Sequence, residues 1–68
     1  MVNIRKIVVD GIVVIEWEIR VWDKSDFIVR FGPGQEVQFH IDRIYEPAGE
    51  AHCTVVSGED VLQKRRVA

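Results

Sequence analysis

An Asp-Gly pair between two runs of β-branched residues is the feature that most limits how this chain can fold. The segment KIVVDGIVVI, residues 6–15, places Asp10 and Gly11 between two stretches of Ile and Val. Asp-Gly favours a two-residue hairpin turn, because both central positions of that turn need a positive φ. Neither flanking run alternates with polar residues, so both faces of the predicted hairpin are apolar, whereas a solvated hairpin is apolar on one face only. The reverse face therefore needs a cover.

Turn-forming residues also divide the rest of the chain, at intervals of about ten residues. They are Asp23-Lys24-Ser25, Gly32-Pro33-Gly34, Pro47-Ala48-Gly49 and Ser57-Gly58. Between them lie runs of β-branched and aromatic residues, the pattern of a small all-β protein. We expect residues 1–68 to form a single domain, a five-stranded antiparallel meander curled into a small SH3-like or OB-like barrel, with a short C-terminal helix or sixth strand.

One register satisfies the predicted strands together, with odd-numbered residues facing the core. It pairs Val8 with Val13, Val21 with Phe27, Phe31 with Val37, and Ile41 with Val55. The inward residues are then Val13, Ile15, Trp17, Ile19, Val21, Phe27, Val29, Phe31, Val37, Phe39, Ile41, Ala51, Cys53 and Val55. The alternation breaks at Arg43 and Ile44, and a β-bulge at Asp42-Arg43 would return Ile44 to the core.

The reverse face of the first hairpin then consists of four apolar residues, Ile7, Val9, Ile12 and Val14. Three covers are open: a sharp bend of the second strand near Glu16 to Glu18, the C-terminal segment with Val61, Leu62 and Val67, or a second copy of the chain. We favour the second copy, because an unpaired edge beside an apolar surface is a template for pairing. The sequence thus predicts a homo-oligomer, a dimer or larger, whose interface is this face.

The C-terminal stretch SGEDVLQKRRVA has three interpretations. A short helix from Glu59 to Arg66 would place acids in its first turn and bases in its last, as the helix dipole favours. A sixth strand from Val61 to Val67, turning at Gly58, and a disordered tail are the alternatives.

Composition and charge point to a reducing compartment and give no strong sign of a nucleic-acid partner. Cys53 is the only cysteine of the 68 residues, and no apolar run is long enough to cross a membrane, so we expect a cytoplasmic protein. The net charge is −2, which does not favour nucleic acid. The rival function is nonetheless a nucleic-acid-binding small barrel that uses Arg20, Arg30, Arg43 and the cluster Lys64–Arg66.

Residues able to do chemistry are few and are not grouped by the predicted register. Cys53 points into the core, while His40, His52 and Asp42 point outward, and the chain lacks CxxC, HxH and HExxH motifs. No metal and no cofactor is therefore expected. His40 and Asp42 share a strand face, which suggests a surface pair rather than a catalytic one, since no nucleophile motif accompanies them.

The sequence thus predicts a small non-enzymatic interaction module that self-associates through its first hairpin. A second patch, formed by Trp22, Ile28, His40 and Asp42, is expected to bind another protein or a small molecule, because exposed Trp is enriched at interface hot spots.

Overall fold

The computed structural model describes residues 2–22 and 26–65, with the side chain of Arg65 left out. Over these residues the protein is mostly β, with a curled five-stranded half-barrel and one short helix. The elements are β1 (Val2–Ile4), β2 (Lys6–Val9), β3 (Ile12–Ile15), β4 (Ile19–Val21), β5 (Asp26–Gly32), β6 (Gln35–Tyr45), β7 (Glu50–Ser57) and α1 (Glu59–Arg65). The predicted turn at residues 23–25 lies outside the described residues.

The main sheet is mixed, so the antiparallel meander predicted from the sequence is wrong. Its strand order is β3-β2-β7-β6-β5, and β1 pairs with β4 in a separate two-stranded sheet. The reason lies at Glu16–Glu18, where the long second strand of the prediction is interrupted between β3 and β4. Its second half pairs with β1, as in Ile4 opposite Ile19, so the expected pairing of Val21 with Phe27 does not form.

The strands β2 and β7 pair in parallel, which the predicted meander did not include. Ile7 lies beside Ala51 and Val8 beside His52. At the break between β1 and β2, the backbone N–H groups of Arg5 and Lys6 both donate to the Gly49 carbonyl, at 2.6 and 3.1 Å. Parallel strands cannot be joined by a tight turn, and here the intervening chain forms the rest of the sheet.

The first hairpin has the predicted turn, together with a β-bulge that explains its two apolar faces. Asp10 and Gly11 have φ values of 52° and 76°, and Val8 lies opposite Val13 as expected. The next pair is Ile7 with Ile15, which leaves Val14 as an extra residue. Since a bulge changes the side to which a strand's residues point, Ile15 joins Ile7 in the core and Val13 stays outside.

The hairpins β5–β6 and β6–β7 form as predicted, with their registers moved by two residues. Val37 lies opposite Val29 instead of Phe31, and Ile41 lies opposite Cys53 instead of Val55. A displacement of two residues keeps every side chain on its predicted face. The bulge at Asp42-Arg43 is confirmed, because the pairing passes from Ile41 to Arg43 on β6.

The core lies between the half-barrel on one side and β1, β4 and α1 on the other. Its largest fully buried side chains are Phe39, Ile4, Ile7, Ile15 and Val37. Leu62 is also buried, so α1 covers part of the core, and the strand alternative for this segment is wrong over its described part. Gly58 turns the chain into the helix with a φ of +84°.

Candidate interaction surface

The outer face of the five-stranded sheet carries a polar network that begins on the edge strand β5. Asp26 lies opposite His40, and Ile28 lies opposite Gln38. His40 Nδ1 is 2.5 Å from Asp26 Oδ1, and the Gln38 amide donates to Asp26 Oδ2 at 3.3 Å. The hydrogen bond to the Asp26 carboxylate raises the pKa of His40, and the negative charges of Asp26 and Asp42 act in the same direction.

Two more polar contacts extend this network along the sheet. The Thr54 hydroxyl donates to Asp42 Oδ2 at 2.6 Å, which links β7 to β6. On the other side, Arg30 of β5 donates to Glu36 of β6, with Nε at 2.8 Å and an Nη at 2.6 Å from the same carboxylate oxygen. The charged groups nearest to β5 are thus hydrogen-bonded to partners within the chain.

A second cluster lies at the opposite end of β6 and β7, around the turn at Pro47–Gly49. The rings of Tyr45 and His52 meet edge to face with centroids 5.3 Å apart, and His52 Nε2 is 2.7 Å from Glu50 Oε2. With Ala48 these three residues line an open hollow of about 340 Å³. Arg43 donates to the Tyr45 hydroxyl at 3.4 Å, so a cation and two rings share this corner.

Three of the four residues of the predicted partner patch share one face of the five-stranded sheet, and the fourth, Trp22, follows β4. Ile28, His40 and Asp42 share the outer face, and Ile28 is 61% exposed. Trp22, the most exposed large hydrophobic residue described, at 82%, follows β4 in the two-stranded sheet. The strand pairing that was expected to bring Trp22 beside Ile28 is not formed.

The structure also separates the four residues of the predicted self-association face. Ile7 and Val9 are 0% and 7% exposed and lie in the core of the single chain. Val14 is half-buried against that core, and only Ile12 is exposed, at 48%. The bend at Glu16–Glu18 brings β1 and β4 over the core, and α1 contributes Leu62. Two of the three covers considered from the sequence are therefore present within the chain.

Exposed apolar side chains remain at both edges of the sheet. Val13, on the edge strand β3, is 41% exposed next to Ile12, and Ile28 lies on the other edge strand, β5. Sequence reasoning missed that β5 is an edge, because it paired this strand on both sides. It also missed the cluster of Tyr45 and His52. The one signal for this cluster was the bulge on β6, which sets the register that brings the two residues to the same face.

The basic residues of the rival function do not form a continuous stripe. Arg30 is engaged by Glu36 and Arg43 by Tyr45, while Arg20 lies on β4 of the other sheet. Lys64 is exposed on α1; the Arg65 side chain and Arg66 lie outside the described residues.

Cys53 and the histidines do not form a reactive or metal-binding group among the described residues. Burial raises the pKa of the Cys53 thiol to about 12, with a smaller contribution from the charge of Asp42. No group of three or more His, Cys, Asp and Glu side chains in the described ranges has an arrangement that could hold a metal ion.

None of the helical segments in residues 2–22 and 26–65 is both long and apolar enough to cross a membrane. Comparison of the chain with protein-family models, with curated proteins and with solved structures finds no match in any of the three.

Proposed function

We propose that this protein is a small, non-enzymatic interaction module, of SH3-like or OB-like size, that self-associates through an edge of its sheet. The observation that carries the proposal is the state of the two edges. β3 and β5 each pair with one neighbour in the described sheet, and both carry exposed β-branched side chains, Val13 and Ile28. Natural proteins rarely leave such edges uncovered, because an edge strand is a template for pairing with other strands.

The first hairpin, where the sequence located the interface, offers one of these edges. Ile12 and Val13 are the residues of that hairpin available to a second copy, since Ile7 and Val9 are buried behind them. Apolar contact between two copies of β3 is one of the two edge contacts through which a homo-oligomer, a dimer or larger, would form.

The outer face beside β5 is proposed as the contact for another partner, a protein or a small molecule. Ile28 supplies an exposed apolar group, and His40 and Asp42 supply polar groups next to it. Trp22, which follows β4 and is 82% exposed, supplies an aromatic anchor.

A non-enzymatic role is supported by the exposure of the polar groups and by their hydrogen bonds. His40 is half-exposed, and the one hydroxyl bonded within this network, that of Thr54, donates to Asp42 and not to the imidazole. A catalytic base needs the proton that it removes within hydrogen-bond reach. The buried, single thiol of Cys53 supports a reducing, cytoplasmic compartment.

Nucleic-acid binding is the second candidate, and the corner of Arg43, Tyr45 and His52 favours it, because a cation beside exposed rings suits an unstacked base. The outer face as a whole does not favour nucleic-acid binding, because acidic residues outnumber basic ones on it. The acids are Asp26, Glu36, Asp42 and Glu50, and the bases are Lys6, Arg30 and Arg43. Binding to a single-stranded oligonucleotide at low salt that weakens steeply as salt is added would support this function.

Sedimentation equilibrium from micromolar to millimolar concentration tests the main proposal. The weight-average mass is expected to rise from that of the 7.8 kDa chain towards twice that value. A mass that stays at the monomer value over the whole range would contradict self-association.

A further inference from the structure

The edge strand β5 has an arrangement of side chains that is complementary to itself. Asp26, Ile28 and Arg30 point to the outer face, while Phe27 and Val29 point to the core side. The strand therefore presents an acid, an apolar group and a base in a row, with Ile28 at the centre. β6 is the one strand that pairs with β5 among the described residues, so the other side of β5 is an edge.

Two antiparallel copies of β5, related by a two-fold axis at Ile28, would match each outward group with a suitable partner. Ile28 would lie opposite Ile28 of the second copy, and Asp26 would lie opposite Arg30 of the second copy, twice by symmetry. On the core side, Phe27 would lie opposite Val29 of the second copy. Directly opposite Cβ atoms in antiparallel strands are about 5 Å apart, so these side chains are within reach of one another.

The charges already present beside β5 would extend this complementarity across the junction. Within one chain, Arg30 is held by Glu36 and Asp26 by His40 and Gln38. In the paired state Arg30 would lie between Glu36 of its own chain and Asp26 of the second copy. Charges would therefore alternate along the row, and no like charges would face each other directly, which is the condition for favourable cross-strand pairs.

The opposite edge of the sheet is less suited to pairing. β3 has four residues and contains the bulge at Val14, and short bulged strands are devices that keep sheet edges from associating. β5 has seven residues and stays in regular register from Asp26 to Arg30. A junction of about five residues a side is small, well below the standard interface of roughly 1,600 Å², so the resulting dimer is weak.

We infer that β5 is the self-pairing edge of this protein, and that two copies join through it, antiparallel about Ile28, into one continuous sheet. The inference rests on the proposed function, because it names the surface that self-association uses.

Charge reversal tests the register directly. Asp26→Lys places two bases opposite each other at both symmetric positions, and Arg30→Glu places two acids there. Each variant alone is expected to dimerise at least ten times more weakly than the natural chain in sedimentation equilibrium. An equimolar mixture of the two variants puts opposite charges face to face at both positions, and its affinity is expected to return to within about threefold of the natural value. Arg20→Glu, on the other sheet, is the matched control and should leave the affinity unchanged, and circular dichroism checks that each variant is folded.

The possible outcomes separate this inference from the function on which it rests. Loss of dimer in each variant with recovery in the mixture supports pairing through β5. Loss of the dimer in each variant without recovery in the mixture overturns the antiparallel register. Dimers that persist in both variants but are lost in Val13→Lys place the interface at the first hairpin and overturn the inference. A natural chain that stays monomeric up to millimolar concentration overturns both, and this is also the result expected if β5 pairs only with a strand of another protein.

Discussion

His40 Nδ1 lies 2.5 Å from Asp26 Oδ1, and this contact ties β6 to its neighbour, the edge strand β5. The hydrogen bond raises the pKa of His40 above its usual value of 6.5. A folded-state pKa above the unfolded value gives stability that is fully present below the unfolded pKa and is lost as pH rises through the folded pKa.

The stability difference between the natural chain and His40→Gln is therefore expected to be largest near pH 5.5 and to shrink as pH rises towards 8.5, because the imidazole loses its proton. Denaturation midpoints across this range measure it, and NMR titration of the ring gives the pKa itself. Asp26→Asn should lower that pKa. A difference that grows with rising pH would contradict the assignment.

Ile7 and Ile12, both in the first hairpin, should differ in their effect on stability. Ile7→Ala leaves a cavity in the core, where Ile7 is 0% exposed, and is expected to lower the free energy of unfolding by about 2–5 kcal/mol. Ile12→Ala, the same change at a residue that is 48% exposed, should cost less than about 1 kcal/mol in the monomer. Urea denaturation at micromolar concentration compares them, and equal losses would contradict the burial described.

A side chain at Gly58 is expected to destabilise the protein for two reasons, its backbone conformation and a steric overlap. Gly34 shares only the first of these and serves as the comparison. The φ of Gly58 is +84°, and an added Cβ would meet the Glu36 carbonyl oxygen well inside contact distance. Gly34 has a similar φ of +71° with open space around it. Gly34→Ala should therefore cost about 1–2 kcal/mol from the backbone alone, and Gly58→Ala a further 1–3 kcal/mol or so from overlap. Denaturation midpoints that rank the two variants in the opposite order would contradict this packing of α1 on β6.

Cys53 should react slowly with thiol reagents in the folded protein. Its pKa is raised to about 12 by burial, and only the thiolate is the nucleophile. At pH 8 the native chain is expected to react at least about 10³ times more slowly than the chain in concentrated urea. The reason is that each unit by which the pKa rises lowers the thiolate fraction about tenfold. Labelling followed by mass spectrometry measures both rates, and equal rates would show that Cys53 is accessible.

Local patterns in the sequence were sufficient to predict the Asp10-Gly11 turn, the faces of β5, β6 and β7, and the bulge on β6. The Asp10-Gly11 turn, the inward position of Phe39 and the extra residue at Asp42 all follow from side chains near one another in the chain. Each is determined by the period of two along a strand or by the backbone preference of a turn.

Pairing between distant strands was not accessible in the same way. Nothing local marks Ile7 as the neighbour of Ala51, because a parallel pair is not joined by a turn whose residues reveal it. The extra residue at Val14 was equally hidden, since a row of Ile and Val offers no polar residue to indicate which side faces water. These two features moved Ile7 and Val9 into the core, and with them most of the self-association face that the sequence predicted.

The junction of β2 with β7 also bears on how the molecule assembles. The hairpin that contains Asp10 and Gly11 is closed by a local turn, yet among the described residues it pairs with the rest of the five-stranded sheet through Glu50–His52, which lie much later in the chain. Until Glu50–His52 are in place, the apolar side of that hairpin is open to water and to neighbouring molecules. We expect the slow, committing event of folding to be the closure of this long loop, and aggregation to compete with it most strongly beforehand.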